Sequence, residues 1–282
     1  MNNIKIAAVQ MSPTGDREGN IKTALELMEK AVGKGAQIIG LPEDFSYVGE
    51  SEGKLAFATD PDKDPAVKAL RKFAKENKVA IIGGSIPFKT TSKNKVSNTC
   101  LVIDTKGKIA ARYDKMHLFD VALDKDYTHK ESEHINGGNK VVTVNLFGHT
   151  VGLSICYDVR FPELYRALAL RGTKIIFVPS AFTLYTGKDH WETLLRARAI
   201  ENQCYIVAPA QYGLYKPGIQ TYGRTMIVDP WGQVLAVCQD KEDVIVSEID
   251  MDYLEDLRRR MPCLKHIHKK TFFSSKEYRK ES

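Results

Sequence analysis

Residues 151–168, VGLSICYDVRFPELYRAL, are the stretch whose reading decides this chain. Val151 to Ile155 is a short apolar run, the pattern of a strand buried on both faces. Cys156 follows it, then the tight turn Tyr157-Asp158-Val159-Arg160, and Pro162 opens a helical stretch. A cysteine at a strand-to-helix elbow has its sulfur held out above the sheet. Backbone N–H groups at the start of the following helix favour a thiolate and its tetrahedral adduct there. A covalent nucleophile is presented in this way. A buried structural cysteine has the same local pattern, because free cysteine is among the most buried residue types. The elbow becomes chemistry only when a base and an oxyanion donor are found for it.

On either side of this elbow, strands and helices alternate. The run 4–11, IKIAAVQM, reads as a buried strand, and residues 20–32 carry apolar groups at helical spacing until Gly33 and Gly35 stop them. The segment 37–45, QIIGLPEDF, starts as a strand and breaks at Pro42. A helix over 66–77 leads to a strand over 79–88, VAIIGGSIPF, and the strands 98–104 and 108–114 are joined by the turn Thr105-Lys106-Gly107. The second half repeats the theme. Strands at 141–146 and 150–156 precede a helix over 162–171, a strand at 174–182, a helix over 191–205 and a strand at 205–212. A hairpin about Trp231-Gly232, a strand at 243–250 and a last helix from Met251 complete it. With no Gly/Ser linker, the order predicts one layered α/β domain over residues 1–270, followed by a basic tail over 271–282.

Composition narrows the function classes. Hydrophobic residues make up 43% and charged residues 27% of 282, an ordinary globular balance with material for a sizeable core. No run approaches the 18 or so apolar residues of a membrane span, and the N-terminus lacks the basic and apolar regions of a signal peptide. Five scattered cysteines with no C-x-x-C pair argue against a disulfide framework and a structural zinc site, and for a reducing cytoplasm. The net charge of +6 is concentrated after Arg258, in Arg258-Arg259-Arg260 and in Lys265 to Lys270. No nucleic-acid-binding motif accompanies this cluster, so it reads as a solvated tail.

Two further strand ends carry ionisable groups. Glu43 follows the buried run IIGLP, and Lys115 follows IAARYD. Each alone is an ordinary loop charge. With Cys156 they form a complete set: Glu43 as base, Lys115 as fixed cation favouring thiolate over thiol, and Cys156 as nucleophile.

The segments GAQIIGLPED (35–44), YDKMHLF (113–119) and ICYDVRFPEL (155–164) resemble the three signature blocks of the nitrilase superfamily, the carbon–nitrogen hydrolases, in that family's order. The resemblance runs from about Ile4 to His268. It implies a four-layer α-β-β-α sandwich assembled as homodimers or larger homo-oligomers. It also implies a Glu43–Lys115–Cys156 set working without metal or organic cofactor. The family carries a further glutamate before the cysteine. In KESEHINGG (130–138) Glu131 fits that place better than Glu133, with the implied role of positioning Lys115 and the leaving group.

Finer features, in 179–213 and in MIVDPWGQVLA (226–236), resemble the deaminated-glutathione amidase branch and its neighbour, the ω-amidase branch. Both imply a small 2-oxoglutaryl amide as substrate, with cysteinylglycine or ammonia as leaving group, rather than a nitrile. Arg160 stands at the family's offset for a substrate-carboxylate arginine; an internal ion pair with Asp158 or Glu163 is the alternative. Tyr157 supplies a backbone N–H to the oxyanion, and Phe182 and Thr186 match pocket positions, although Phe182 reads equally as core. His190 and Trp191 open the helix behind the pocket, where His190 reads as a hydrogen-bonded structural residue. Asp114 departs from the family's basic residue before the lysine, and VALDKDYTHK (121–130) departs from its Pro-containing entrance loop. A non-catalytic oligomeric scaffold is the reading from another class, and the intact catalytic set weighs against it.

Overall fold

The computed structural model describes residues 3–124, 127–216 and 219–268; the segment 271–282 lies outside the described residues. The first half runs β1 (Ile4–Gln10), α1 (Arg17–Gly33), β2 (Ile38–Gly40), α2 (Ser51–Phe57), α3 (Pro65–Asn77), β3 (Ala80–Ile82), β4 (Ile86–Lys89), β5 (Val96–Ile103) and β6 (Ile109–Asp114). A hairpin of β7 (Asp120–Asp124) and β8 (Tyr127–Lys130) connects it to β9 (Thr143–Leu146), β10 (His149–Leu153), α4 (Pro162–Leu170), β11 (Ile175–Phe177), α5 (Leu184–Asn202) and β12 (Tyr205–Ala208). The chain ends with the hairpin β13 (Tyr212–Lys216) and β14 (Ile219–Tyr222), then β15 (Met226–Val228), β16 (Val234–Val237), β17 (Asp243–Ile249) and α6 (Met251–Arg260).

Two sheets form the centre. One has the order β17-β1-β2-β3-β5-β4 with β6 also on β5, and the other β16-β15-β12-β11-β10-β9. The period-2 alternation of strand side chains sorts the first sheet into two faces. Ala7, Val9, Ile39, Ile81, Leu101 and Ile103 pack with Ala24, Leu27 and Met28 of α1 and Val67, Leu70 and Phe73 of α3. Ile6, Ala8, Ile38, Ala80, Ile82 and Val102 share the other core with strands of the second sheet. That core continues to Leu164 and Leu168 of α4 and Trp191, Leu195 and Ala199 of α5. The result is the four-layer α-β-β-α sandwich, each buried strand reading as apolar because both its faces are covered.

Glycine permits a close approach of the two sheets at β2. A Cβ on Gly40 in β2 would lie 2.8 Å from the Phe177 ring of β11 and 3.3 Å from Pro209.

Local signals account for the helix starts. Asp16 caps α1 by accepting from the Gly19 N–H, and Asp64 caps α3 by accepting from Ala66 and Val67 N–H with Pro65 in the first turn. The strand expected over 79–88 is two strands: Gly83 and Gly84 break it, Gly84 at φ 55°. The helix expected from Trp191 begins a full two turns earlier, at Leu184, and α2 and the β13–β14 hairpin have no counterpart in the periodicity. The basic cluster is divided in role. Arg258 is a structural side chain donating to the Gln203 and Thr173 carbonyls, while Arg259 and Arg260 pair with Asp256.

Candidate active site

The parallel order β1–β2–β3 and β10–β11–β12 brings the carboxyl ends of these strands to one edge of the sandwich. Glu43 leaves β2 there, Cys156 leaves β10, and Ala181 and Phe182 leave β11. β5 is antiparallel to β3 and β6 to β5, so β6 runs with β3 and delivers Lys115 to the same edge. Ligand sites of open α/β sheets gather at such strand ends.

The four residues predicted to carry chemistry meet. Lys115 Nζ donates to Glu43 Oε1 at 2.9 Å and to Glu131 Oε1 and Oε2 at 3.0 and 2.8 Å, and is 2% exposed. Glu43 Oε2 accepts the Ala181 N–H at 2.8 Å, and Glu131 Oε2 accepts the Phe119 N–H at 2.7 Å. Burial opposes the Lys115 charge, yet Glu131 and Glu43 together hold its pKa well above the usual lysine value. Burial likewise opposes ionisation of Glu131, but Lys115 and its hydrogen bonds bring that carboxyl below the usual range.

Cys156 opens a short 3₁₀ helix, Cys156–Arg160, with φ 46°. A non-glycine residue in the left-handed region is strained and persists only where its surroundings over-determine it. Its own N–H donates to the Pro179 carbonyl at 2.8 Å, whereas nothing among the described residues accepts the Tyr157 N–H, an orphan of the first helical turn. The Lys115 charge favours the Cys156 thiolate, as expected of a cation beside it. Burial and the neighbouring Glu43 push the thiol well above its ordinary pKa and outweigh Lys115. The Glu43 carboxylate hydrogen-bonds the sulfur and is placed to accept a proton from it.

A pocket that opens to solvent lies over this cluster. Tyr157, Arg160, Phe182 and Thr186 all line it. Phe182 fills both roles weighed for it, being 4% exposed, packed on Trp191 with ring centroids 5.0 Å apart, and still a wall of the pocket. Thr186 bonds Thr183 through their hydroxyls at 2.9 Å. Arg160 does not pair with Asp158 or Glu163. Its guanidinium lies over the Phe182 and Tyr157 rings, 5.0 and 5.8 Å from their centroids, and reaches His190 Nδ1 at 3.2 Å. Asp114 points away from the site, onto Thr99 and Arg112, as the strand alternation before Lys115 requires. Part of the divergent stretch 121–130 lies outside the described residues; within it, His129 faces the pocket.

Several contributors escaped the sequence reading. Asn98 of β5 donates to Glu43 Oε1 at 2.9 Å and Glu131 Oε1 at 3.3 Å, bridging the two carboxylates that share Lys115. Its signal was an amide inside an otherwise buried strand. Gln211 Nε2 holds the Glu43 carbonyl at 2.7 Å. Among the described residues no group of three or more His, Cys, Asp or Glu side chains is placed to hold a metal ion.

The carbon-nitrogen hydrolase family model matches residues 5–259. The chain belongs to the carbon-nitrogen hydrolase family. Among curated members, the deaminated glutathione amidase of Synechocystis is 44% identical over 264 residues, covering 92% of this chain and 96% of that protein. The crystal structure of the Caenorhabditis elegans NitFhit protein superposes with a TM-score of 0.90 at 39% identity, covering 96% of this chain and 66% of that one. That of Saccharomyces cerevisiae Nit3, titled a member of branch 10 of the nitrilase superfamily, gives 0.84 at 29% identity over 98% and 97%. Membership makes this carbon-nitrogen hydrolase an enzyme of C–N bond hydrolysis. No described helix is long and apolar enough to cross a membrane.

Proposed function

We propose that this hydrolase is an amidase that cleaves a small carboxylate-bearing amide through a thioester on Cys156, with deaminated glutathione as substrate and 2-oxoglutarate and cysteinylglycine as products. The observation that carries the chemistry is the convergence of Glu43, Lys115 and Glu131 beside a buried cysteine at a strained elbow. The substrate follows from the half-buried Arg160, which has no acidic partner among the described residues, and from the relatives named deaminated glutathione amidase at 35–44% identity.

The Cys156 sulfur attacks the amide carbonyl carbon as Glu43 takes the thiol proton, so the high thiol pKa is met by a base already in contact. The C=O electron pair moves to oxygen, and the oxyanion is held by Lys115 and the unspent Tyr157 N–H. Glu43 passes its proton to the departing nitrogen, the C–N bond breaks, and a thioester remains. Water deprotonated by Glu43 then adds to the thioester carbonyl; the C–S bond breaks, the acid leaves, and the proton returns to sulfur. Glu131 and Asn98 keep Lys115 and Glu43 in place throughout.

Release of 2-oxoglutarate from deaminated glutathione and from 2-oxoglutaramate, side by side, tests the reading, with Cys156→Ala as control. Preference for the first supports it, preference for the second makes the enzyme an ω-amidase, and full turnover by Cys156→Ala refutes the thioester route. Undetectable activity in a folded protein would favour an oligomeric scaffold.

Residues 1–270 are assigned to a single hydrolase domain, a reading supported by the core that both sheets share. A homodimer or larger homo-oligomer is assigned on the exposed apolar side chains Ile200 of α5, Trp231 of the β15–β16 turn, and Leu235 and Val237 of β16. A cytoplasmic compartment suits five cysteines that are all free.

A further inference from the structure

Arg160 is unusual among the cations that line the pocket. Lys115 is committed to Glu43 and Glu131, and Lys54 is ion-paired with Asp44. The Arg160 guanidinium is instead held by two ring faces and by one nitrogen of His190. A guanidinium has donors only, so His190 Nδ1 must be the acceptor. An imidazole that accepts through Nδ1 is the neutral tautomer with its proton on Nε2. A neutral acceptor orients a cation without cancelling its charge, which a carboxylate at the same place would do.

His190 is itself placed firmly. The next residue of α5, Trp191, is fully buried and donates from Nε1 to the Arg224 carbonyl at 2.9 Å. Trp191 also packs on Phe182, the ring beneath Arg160. The helix that carries the imidazole and the ring that carries the guanidinium are thus fixed to each other.

We propose that His190 is a positioning residue for substrate specificity: through Nδ1 it holds the Arg160 guanidinium toward the pocket with its charge unspent, making Arg160 a receptor for the carboxylate of an acidic amide. The inference rests on the amidase reading above.

Its test measures kcat and KM for 2-oxoglutaramate, an anion, and for its neutral methyl ester, in wild type and in His190→Ala, His190→Gln, His190→Glu and Arg160→Gln. The ratio of kcat/KM for anion over ester is the readout. His190→Ala is expected to lower that ratio about tenfold, the scale of one hydrogen bond to a charged group, with the change in KM for the anion. His190→Gln, which restores an acceptor oxygen, is expected to recover most of it. His190→Glu supplies a carboxylate that occupies the guanidinium and is expected to lower the ratio further than alanine does. An equal loss on both substrates, a loss confined to kcat, or no rescue by glutamine would overturn the role of His190. If Arg160→Gln leaves the ratio at its wild-type value, the carboxylate-receptor reading of Arg160 fails independently of His190. Circular dichroism confirms that each variant is folded, and His190 is exposed, so its replacement leaves the core intact.

Discussion

The Asp158 carboxylate accepts both the backbone N–H and the ring Nδ1–H of His117, at 3.0 and 2.7 Å. Its other oxygen accepts the Ile155 N–H at 2.8 Å and the Tyr113 hydroxyl at 2.6 Å. Asp158 is fully buried. One carboxylate therefore ties the residue before Cys156 to residues on either side of Lys115, and sets the Cys156 elbow against Lys115.

Removing that clasp strands several buried donors at once. Asp158→Ala is expected to lower the unfolding free energy by about 3 kcal/mol, and Tyr113→Phe, which removes one donor, by about 1 kcal/mol. Urea denaturation measures both. An Asp158→Ala protein as stable as wild type would show that the clasp contributes nothing.

The ion cluster makes stability depend on pH at both ends. Glu131 has its folded pKa below the usual 4.5, so its contribution is present above 4.5 and is lost as pH falls through the lower folded value. Lys115 has its folded pKa above the usual 10.5, so its contribution is present below 10.5 and is lost as pH rises through the higher folded value. Between those limits Glu131 and Lys115 are both charged. Lys115→Met leaves two buried carboxylates without their cation, and is expected to cost about 3–5 kcal/mol at pH 8. The loss should shrink at pH 5, where the stranded carboxyls take up protons, and denaturation at the two pH values measures the difference.

Glu43 raises the Cys156 pKa and is the proposed base, so its removal should separate reactivity from catalysis. Glu43→Gln is expected to lower kcat by about 10²–10⁴, the range for a lost general base. The same change lowers the thiol pKa and should speed alkylation of Cys156 by iodoacetamide at pH 8. Mass spectrometry resolves this site from Cys100, Cys204 and Cys238, whose burial pushes their thiols up to about 12. Slower alkylation in Glu43→Gln would contradict the assigned electrostatics.

Gly40 lies where the two sheets approach closely, against Phe177. Its replacement by alanine forces a methyl group against a fully buried Phe177 ring, and is expected to destabilise the fold by about 1–3 kcal/mol. Thermal melting checks this, and an unchanged midpoint would mean that the two sheets separate there at no cost.

Much of the architecture was legible in the sequence because it depends on local periodicity. Doubly covered strands read as apolar runs, and α1 read from its apolar spacing and the glycines that stop it. The long strand expected over 79–88 failed because two consecutive glycines permit a sharp break that hydrophobicity does not register. The start of α5 escapes the periodicity because Leu184, Tyr185, Lys188 and Asp189 are exposed and form no core stripe.

By itself, the sequence determined the layered α/β order, the Cys156 elbow and the strand-end positions of Glu43 and Lys115, since each is a property of a few neighbouring residues. Tertiary structure alone decided what those groups become. Glu43 and Lys115 are 72 positions apart, and only the parallel stacking of their strands brings them to 2.9 Å. Burial, which no local pattern states, turns Cys156 into a high-pKa thiol and draws Asn98 between two carboxylates. The choice of His190 over Asp158 or Glu163 as the partner of Arg160 follows from packing as well, because Asp158 is saturated by donors that the fold brings from 41 and 45 residues away.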